Sequence, residues 1–321
     1  MKKGFQKKKK SFTLFLIALL CIFLASCSGM IFSSENYSTQ NTDKREKYLQ
    51  IFSPEEVLES SDYSIASEMD LFFLLDEKLY QFEETVVFEI ESFELFENYW
   101  KTLVRQGAVH SVFVSNQIEV SYDKAVQPCM VTMRFSYNDA GHILKTYVNG
   151  SKMSFQEQRT NDLYQKVNAI LAEIIKAEMT PLEKELEIHN YIIRNTVYEE
   201  NVKPGSDQTT AFGVLMQGSG QCQGYAETFS LLMNLSGVPT RIVSGFVVDT
   251  NGKIAPHAWN QILLGEFWYH VDVAWNDPIP DTGDYVGMKY LNRSDLIMQQ
   301  DHIWMEYFKA APEDMLPVDI S

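Results

Sequence analysis

Three residues have types that together can run nucleophilic chemistry: Cys222, His257 and Asp272. A thiolate is the reactive form of cysteine, and a free thiol with a pKa near about 8.5 is mostly protonated at neutral pH. Ionisation therefore needs help. Cys222 follows a glycine-bearing stretch with Gly218 and Gly220 and precedes a helical pattern in which Ala226, Phe229 and Met233 share a face. That places it at a helix N-terminus, where the helix dipole favours an anion. An imidazolium beside it favours the anion further, and a carboxylate behind the imidazole fixes the tautomer and aims the second ring nitrogen at the thiol.

The elements that must bring these groups together are legible nearby. Gly237 and Pro239 mark the end of the Cys222 helix. Residues 241–248 read as a strand. Residues 256–264 and 267–275, joined at Gly265-Glu266, read as a hairpin whose open end lets His257 and Asp272 meet. Upstream, Leu163, Val167, Ile170 and Ile174 outline one helix. A second starts at Thr180-Pro181-Leu182-Glu183, with Thr as N-cap, Pro at the first helical position and Glu closing a capping box. His189 lies on the apolar face of that helix and reads as a core histidine. His270, on the same strand face as Asp272, reads as a partly exposed strand residue, and His302 as structural.

Residues 53–155 are expected to form a small α+β region without identifiable chemistry. Apolar pairs at 95/96, 99/100 and 103/104 predict a helix, and residues 85–90, 111–120, 130–136 and 142–148 predict strands. Asn138-Asp139-Ala140-Gly141 and Asn149-Gly150 read as turns. Cys129 sits in an alternating apolar run and reads as a small core residue.

The N-terminus has a targeting pattern. Six lysines in the first ten residues precede an apolar run over residues 12–25, too short for a comfortable transmembrane helix. Leu24-Ala25-Ser26-Cys27 resembles a bacterial lipobox, which implies removal of residues 1–26 as a lipoprotein signal peptide and lipidation of Cys27. Residues 27–52, rich in Ser, Asn and Thr, then read as a flexible spacer. Loss of the six lysines takes the formal charge from −16 to about −22. Such a chain is repelled by nucleic-acid phosphates and by anionic head groups, so the expected membrane contact is the lipid itself.

The segments CQGYA, PHAWN and WYHVDVAWNDP, in that order, resemble the transglutaminase-like superfamily of papain-like fold. The resemblance covers roughly residues 160–310, within a domain expected over residues 160–315. It implies an α+β core with a central Cys-bearing helix packed on an antiparallel sheet, preceded by the small α+β domain. It also implies Cys222 as nucleophile, His257 as general base and acid, and Asp272 as its orienter, acting on a carboxamide carbonyl through a thioester. Water as second substrate gives a peptidase or amidase; a lysine amine gives a crosslinking transglutaminase. The expected partner is a protein or peptide of the cell envelope, and the rival reading is a non-catalytic binding or scaffold module.

The oxyanion of such a reaction needs donors. The Cys222 backbone N–H is one, and Gln217 and Gln221 are side-chain candidates. Tyr225 is expected beside the nucleophile, and Trp259 and Trp275 either line the cleft or wall the core. No cofactor or metal is called for. No CxxC or Cys/His cluster has zinc spacing, and Asp277, Asp281 and Asp284 lack the spacing of a calcium loop.

Overall fold

The computed structural model describes residues 12–14, 63–105, 113–122, 127–203, 205–283, 285–305 and 308–315. Cys27, the spacer after it, Asp284 and all of the leader except residues 12–14 lie outside them. The fold is α+β, with two main sheets, the second antiparallel and the first antiparallel except for the parallel pairing of residues 64–65 with residues 89–90.

The first sheet contains β1 (Phe12–Leu14), β2 (Ser64–Ile65), β3 (Thr85–Ile90), β4 (Val114–Tyr122) and β5 (Cys129–Tyr137), ordered β1-β4-β5-β3-β2. Alternation sets its inner face: along β5, Cys129, Val131, Met133, Phe135 and Tyr137 are buried while Met130, Arg134 and Ser136 are exposed. Helices α1 (Glu68–Tyr80), α2 (Phe93–Arg105) and α3 (Asp139–Val148) accompany it. The α1 N-terminus is a reciprocal capping box between Ser67 and Asp70.

Residues 142–148, expected as a strand, belong to α3. The reason is local. Asn138 is the helix N-cap rather than a turn residue, and its Oδ1 accepts from Gly141 N–H at 3.0 Å. Ala140, Ile143/Leu144 and Tyr147/Val148 then recur at helical spacing on the buried face.

The second half opens with α4 (Gln158–Ile174) and α5 (Pro181–Asn195). The Thr180–Glu183 capping box starts α5, with Glu183 Oε2 accepting from Thr180 N–H at 2.7 Å. Two-residue strands β6 (Val197–Tyr198) and β7 (Ser219–Gly220) pair in parallel. Next come α6 (Cys222–Leu235) and the antiparallel sheet β8 (Thr240–Val248), β9 (Ile254–Leu264) and β10 (Phe267–Val271). A one-turn helix α7 (Val273–Asn276), a short α8 (Asp295–Met298) and β11 (His302–Ile303) follow. The second sheet is ordered β10-β9-β8-β11.

Helix α6 packs on β8 and β9, and every side chain from Gln223 to Leu235 is buried. The largest apolar cluster runs through both halves; α1 joins them through the Phe72–Phe308 ring contact and α3 through Asn138, which donates to Glu227 on α6.

Candidate active site

Cys222 is the first residue of α6, and its N-cap is Gln221. The cap adds no side-chain hydrogen bond; the Gln221 N–H instead donates to Gln208 O at 2.8 Å, which clamps a 3-10 turn (Asp207–Thr209) against the helix start. Gly224 permits that clamp, since a Cβ there would lie 2.6 Å from the same carbonyl oxygen.

β9 carries His257 and is held to the nucleophile helix by Asn260, whose Nδ2 donates to Ala226 O at 3.0 Å. The hairpin closes on Gly265 at φ 66°, with Leu264 opposite Phe267 and Val271 opposite Asn260. One step further along this register Trp259, not His257, stands across from Asp272. The carboxylate therefore reaches diagonally, and His257 Nε2–H donates to Asp272 Oδ2 at 2.7 Å. The hairpin's open end thus brings the two together with a two-residue offset.

Asp272 uses both oxygens. Oδ1 caps α7 by accepting from Trp275 N–H at 3.0 Å, while Oδ2 takes His257 and, at 3.1 Å, His302 Nε2–H. His302 was expected to be structural only, yet it lies against the same oxygen as His257. It arrives on β11, pressed against β8 at Gly245, where a Cβ would sit 2.1 Å from Ile303 O. Its Nδ1 faces Asp301 Oδ1 at 2.7 Å, and Asp301 Oδ2 accepts from Tyr290 O–H at 2.7 Å.

With Nε2 committed to Asp272, the Nδ1 side of His257 is the one that meets the Cys222 thiol. Burial opposes ionisation of Cys222, but the charge and hydrogen bond of His257, with the Ala258 N–H, outweigh it and bring the thiol below its ordinary value. Burial likewise opposes a charged His257; the negative charges of Asp272 and Cys222 prevail and raise it. Asp272 is fully buried, yet the charges and hydrogen bonds of His257 and His302 hold its carboxyl well below the carboxylate range. Each of the three groups is thus placed so that its neighbour favours its charged form.

The remaining expected residues are placed differently. Gln217 is exposed, and its amide donates to Asp207 Oδ2 at 2.6 Å. The Gln221 amide donates to Glu200 O at 3.3 Å. Both side-chain donors are turned to loop partners rather than to the thiol. Tyr225 is fully buried and gives its hydroxyl proton to Asp277 Oδ2. Trp259 is buried and its Nε1–H donates to His270 Nδ1 at 2.9 Å, so it walls the core rather than a cleft. Trp275 stays partly exposed, with its ring 5.5 Å from that of His257.

His270 is also fully buried rather than strand-exposed. It accepts from Trp259, faces Asp295 Oδ1 at 2.9 Å, and is lowered to about 4, chiefly by burial. His189 is buried too, between Asn190 Oδ1 and Asn276 Nδ2, and burial likewise brings it down to about 4. Both are neutral structural imidazoles at neutral pH.

Among the described residues, His257, Asp272 and His302 form the only group of His, Cys, Asp or Glu with metal-holding proximity, their ligand atoms lying within 4.8 Å of one another. All three are buried and already joined by hydrogen bonds. No helix among the described residues is long and apolar enough to cross a membrane.

Comparison with known proteins matches these elements to one family. The model of the transglutaminase-like superfamily matches residues 168–273, a span that includes Cys222, His257 and Asp272. No curated protein matches the chain. Among solved structures, a TGase crystal structure is similar over 67% of this chain and 60% of its own, at 16% identity and a TM-score of 0.30. The present chain thus spans less than two thirds of that protein. A candidate cysteine protease from Cytophaga hutchinsonii is similar over 53% and 69% of the two chains, at 17% identity and a TM-score of 0.28. The periplasmic domain of TgpA from Pseudomonas aeruginosa, bound to ethylmercury, is similar over 46% and 58%, at 16% identity and a TM-score of 0.26. By the family match, the chain carries a transglutaminase-like domain over residues 168–273.

Proposed function

We propose that this protein is a lipid-anchored, extracytoplasmic cysteine enzyme that attacks peptide or carboxamide bonds of cell-envelope proteins. The observation that carries the reading is the line from the partly exposed Cys222 thiol, at the N-terminus of α6, through buried His257 to buried Asp272. In this reading the Cys222 Sγ attacks the carbonyl carbon and forms a tetrahedral oxyanion. The His257 imidazolium gives its proton to the leaving nitrogen as the C–N bond breaks, which leaves a thioester on Sγ and a neutral imidazole. Water or an amine then attacks the thioester, His257 takes the proton of the attacking group, and the thiolate leaves. Asp272 keeps the ring oriented through both halves of the cycle.

Water as acceptor makes the enzyme a peptidase or amidase, and this outcome leads because water is always present. A lysine amine makes it a crosslinking transglutaminase. The Leu24-Ala25-Ser26-Cys27 segment supports the anchor.

A thiol-directed probe tests the nucleophile: the protein is expected to label and Cys222→Ala to abolish labelling with the fold retained, whereas labelling no faster than a free peptide thiol contradicts the reading. Envelope proteins profiled with and without the active protein, for both cleavage and Gln–Lys crosslinks, separate hydrolysis from transfer. Palmitate incorporation lost in Cys27→Ser tests the anchor, and its retention contradicts it.

A further inference from the structure

Helix α6 covers only part of the second sheet. Ala226 packs with Ile242 and Ala258, and near the helix C-terminus Asn234 Nδ2 donates to Thr240 O at 2.7 Å. The helix therefore runs along one face of β8 and β9. It begins at Cys222, one turn before Ala226, near the row where Ser244 pairs with Ala258. The same face of the sheet continues past the helix start. Phe246 pairs with Pro256, Val248 with Ile254, and Ile303 of β11 with Phe246. Directly paired residues of antiparallel strands share a face, so these five apolar side chains form one shelf beyond the nucleophile. Exposure marks where the helix stops. Ser244 and Ala258 are buried, Phe246 and Val248 are half-buried, and Ile303 and Ile254 are 48% and 62% exposed.

Two polar atoms mark the inner end of this shelf. Gln223 precedes Ala226 by three positions and so shares its sheet-facing side, while Ser244 stands on β8 opposite Ala258. Both residues are more than nine-tenths buried, and among the described residues neither Gln223 Oε1 nor Ser244 Oγ has a hydrogen-bond partner. A buried acceptor and a buried hydroxyl left unmatched are costly. A peptide unit, with one N–H and one C=O, carries the two complementary groups.

Resting on the cysteine-enzyme reading, we infer that the shelf binds the acyl side of a peptide substrate and selects an apolar residue immediately before the one whose carbonyl is attacked. The side follows from proton delivery. The leaving nitrogen must meet His257. That residue pairs with Gly245, and its ring lies against Trp259 and His302 on the sheet face opposite Ala258. The acyl chain accordingly leaves over Ala258 and onto the shelf. The spacing also fits. Successive same-face rows lie about 6.6 Å apart along a strand. The residue before the attacked one starts about 3.8 Å away at its Cα, and its side chain spans the rest.

The test compares two reagents on the full chain, acetyl-Leu-Gly-chloromethyl ketone and acetyl-Asp-Gly-chloromethyl ketone. Cys222 Sγ displaces chloride from each: the S–C bond forms, the C–Cl bond breaks and chloride leaves. The two rates differ only through recognition of the Leu or Asp side chain. The wild type is expected to react about 10-fold or more faster with the Leu reagent. Phe246→Ala is expected to lose most of that preference. Ile303→Lys is expected to raise the Asp reagent to or above the Leu reagent, a gain that misfolding does not produce. Iodoacetamide, which carries no peptide, should alkylate all three proteins within a few-fold of one another. Equal rates with the two peptide reagents in the wild type, or a Leu preference unchanged in both variants, overturn the inference. Failure of the underlying enzyme reading looks different: the wild type then reacts with iodoacetamide, too, at the rate of a free peptide thiol, and both readings fall.

Discussion

His302 Nε2 lies 3.1 Å from Asp272 Oδ2, the same buried oxygen that accepts from His257 at 2.7 Å. Asp272 is thereby held from two sides, by the base it orients and by an imidazole anchored on Asp301 and Tyr290. A hydrogen bond to a charged group contributes about 1.5–3 kcal/mol. His302→Gln is therefore expected to lower kcat about ten-fold or more with KM little changed, since His302 acts through Asp272 rather than on substrate. It also shortens the acid-side plateau of Cys222 alkylation, because Asp272 loses one of the groups that fix it against His257. Steady-state kinetics with a pH series check this, and a variant with wild-type kcat and profile contradicts it.

Gly245 makes that arrangement possible from a distance. A methyl group on Gly245 would sit 2.1 Å from Ile303 O and 3.0 Å from Trp259 Cη2. Gly245→Ala must push β11 off β8 and draw His302 back from Asp272. Overpacking of this kind destabilises by about 1–3 kcal/mol. Denaturant unfolding should report that loss, and activity should fall in the same pattern as in His302→Gln. A stable variant with full activity means that β11 does not position the site.

Glu227 lies on the buried side of α6, accepts from Ala211 N–H at 3.0 Å and Asn138 Nδ2 at 3.1 Å, and is raised to about 8, chiefly by burial. In the unfolded chain its carboxyl titrates near about 4.3. Between these values the native state holds a proton that the unfolded chain has released, so raising the pH favours unfolding. Glu185, raised to about 8, and Asp76, raised to about 7, both chiefly by burial, act in the same direction. Tm is expected to fall from pH 5 to pH 8, and Glu227→Gln is expected to flatten part of that fall. Calorimetry across this range checks it, and an equally steep fall in the variant assigns the slope to other groups.

The residues that organise themselves locally were readable in the sequence. The Cys222 helix start, the Thr180 capping box and the Gly265 turn of the hairpin each depend on neighbours within a few positions, and the structure shows all three; the second hairpin arm, expected to run to residue 275, ends at Val271 because Asp272 caps α7. Residues 142–148 were misread because Asn138 followed by Gly141 signals a turn and an N-cap alike; the deciding evidence was the helical recurrence of Ile143/Leu144 and Tyr147/Val148. The place of His302 and the burial of Trp259 and His270 had no local signature. Each depends on contacts between segments far apart in sequence, such as β11 crossing Gly245 or the approach of His270 to Asp295. The reach of Gln217 and Gln221 toward loop acceptors was likewise set by tertiary neighbours.

The central claim is that His257 and Asp272 hold Cys222 as a thiolate. Its direct measurement is the rate of Cys222 alkylation by iodoacetamide as a function of pH. The thiol is held below its ordinary value and His257 is raised. The ion pair should therefore be intact at neutral pH and be lost on the acid side as Cys222 gains its proton. The account predicts a rate already on its plateau at pH 7, with the acid limb displaced upward in His257→Ala and in Asp272→Asn. A rate that instead rises through pH 8–9 like a free thiol, with the same profile in all three proteins, contradicts it.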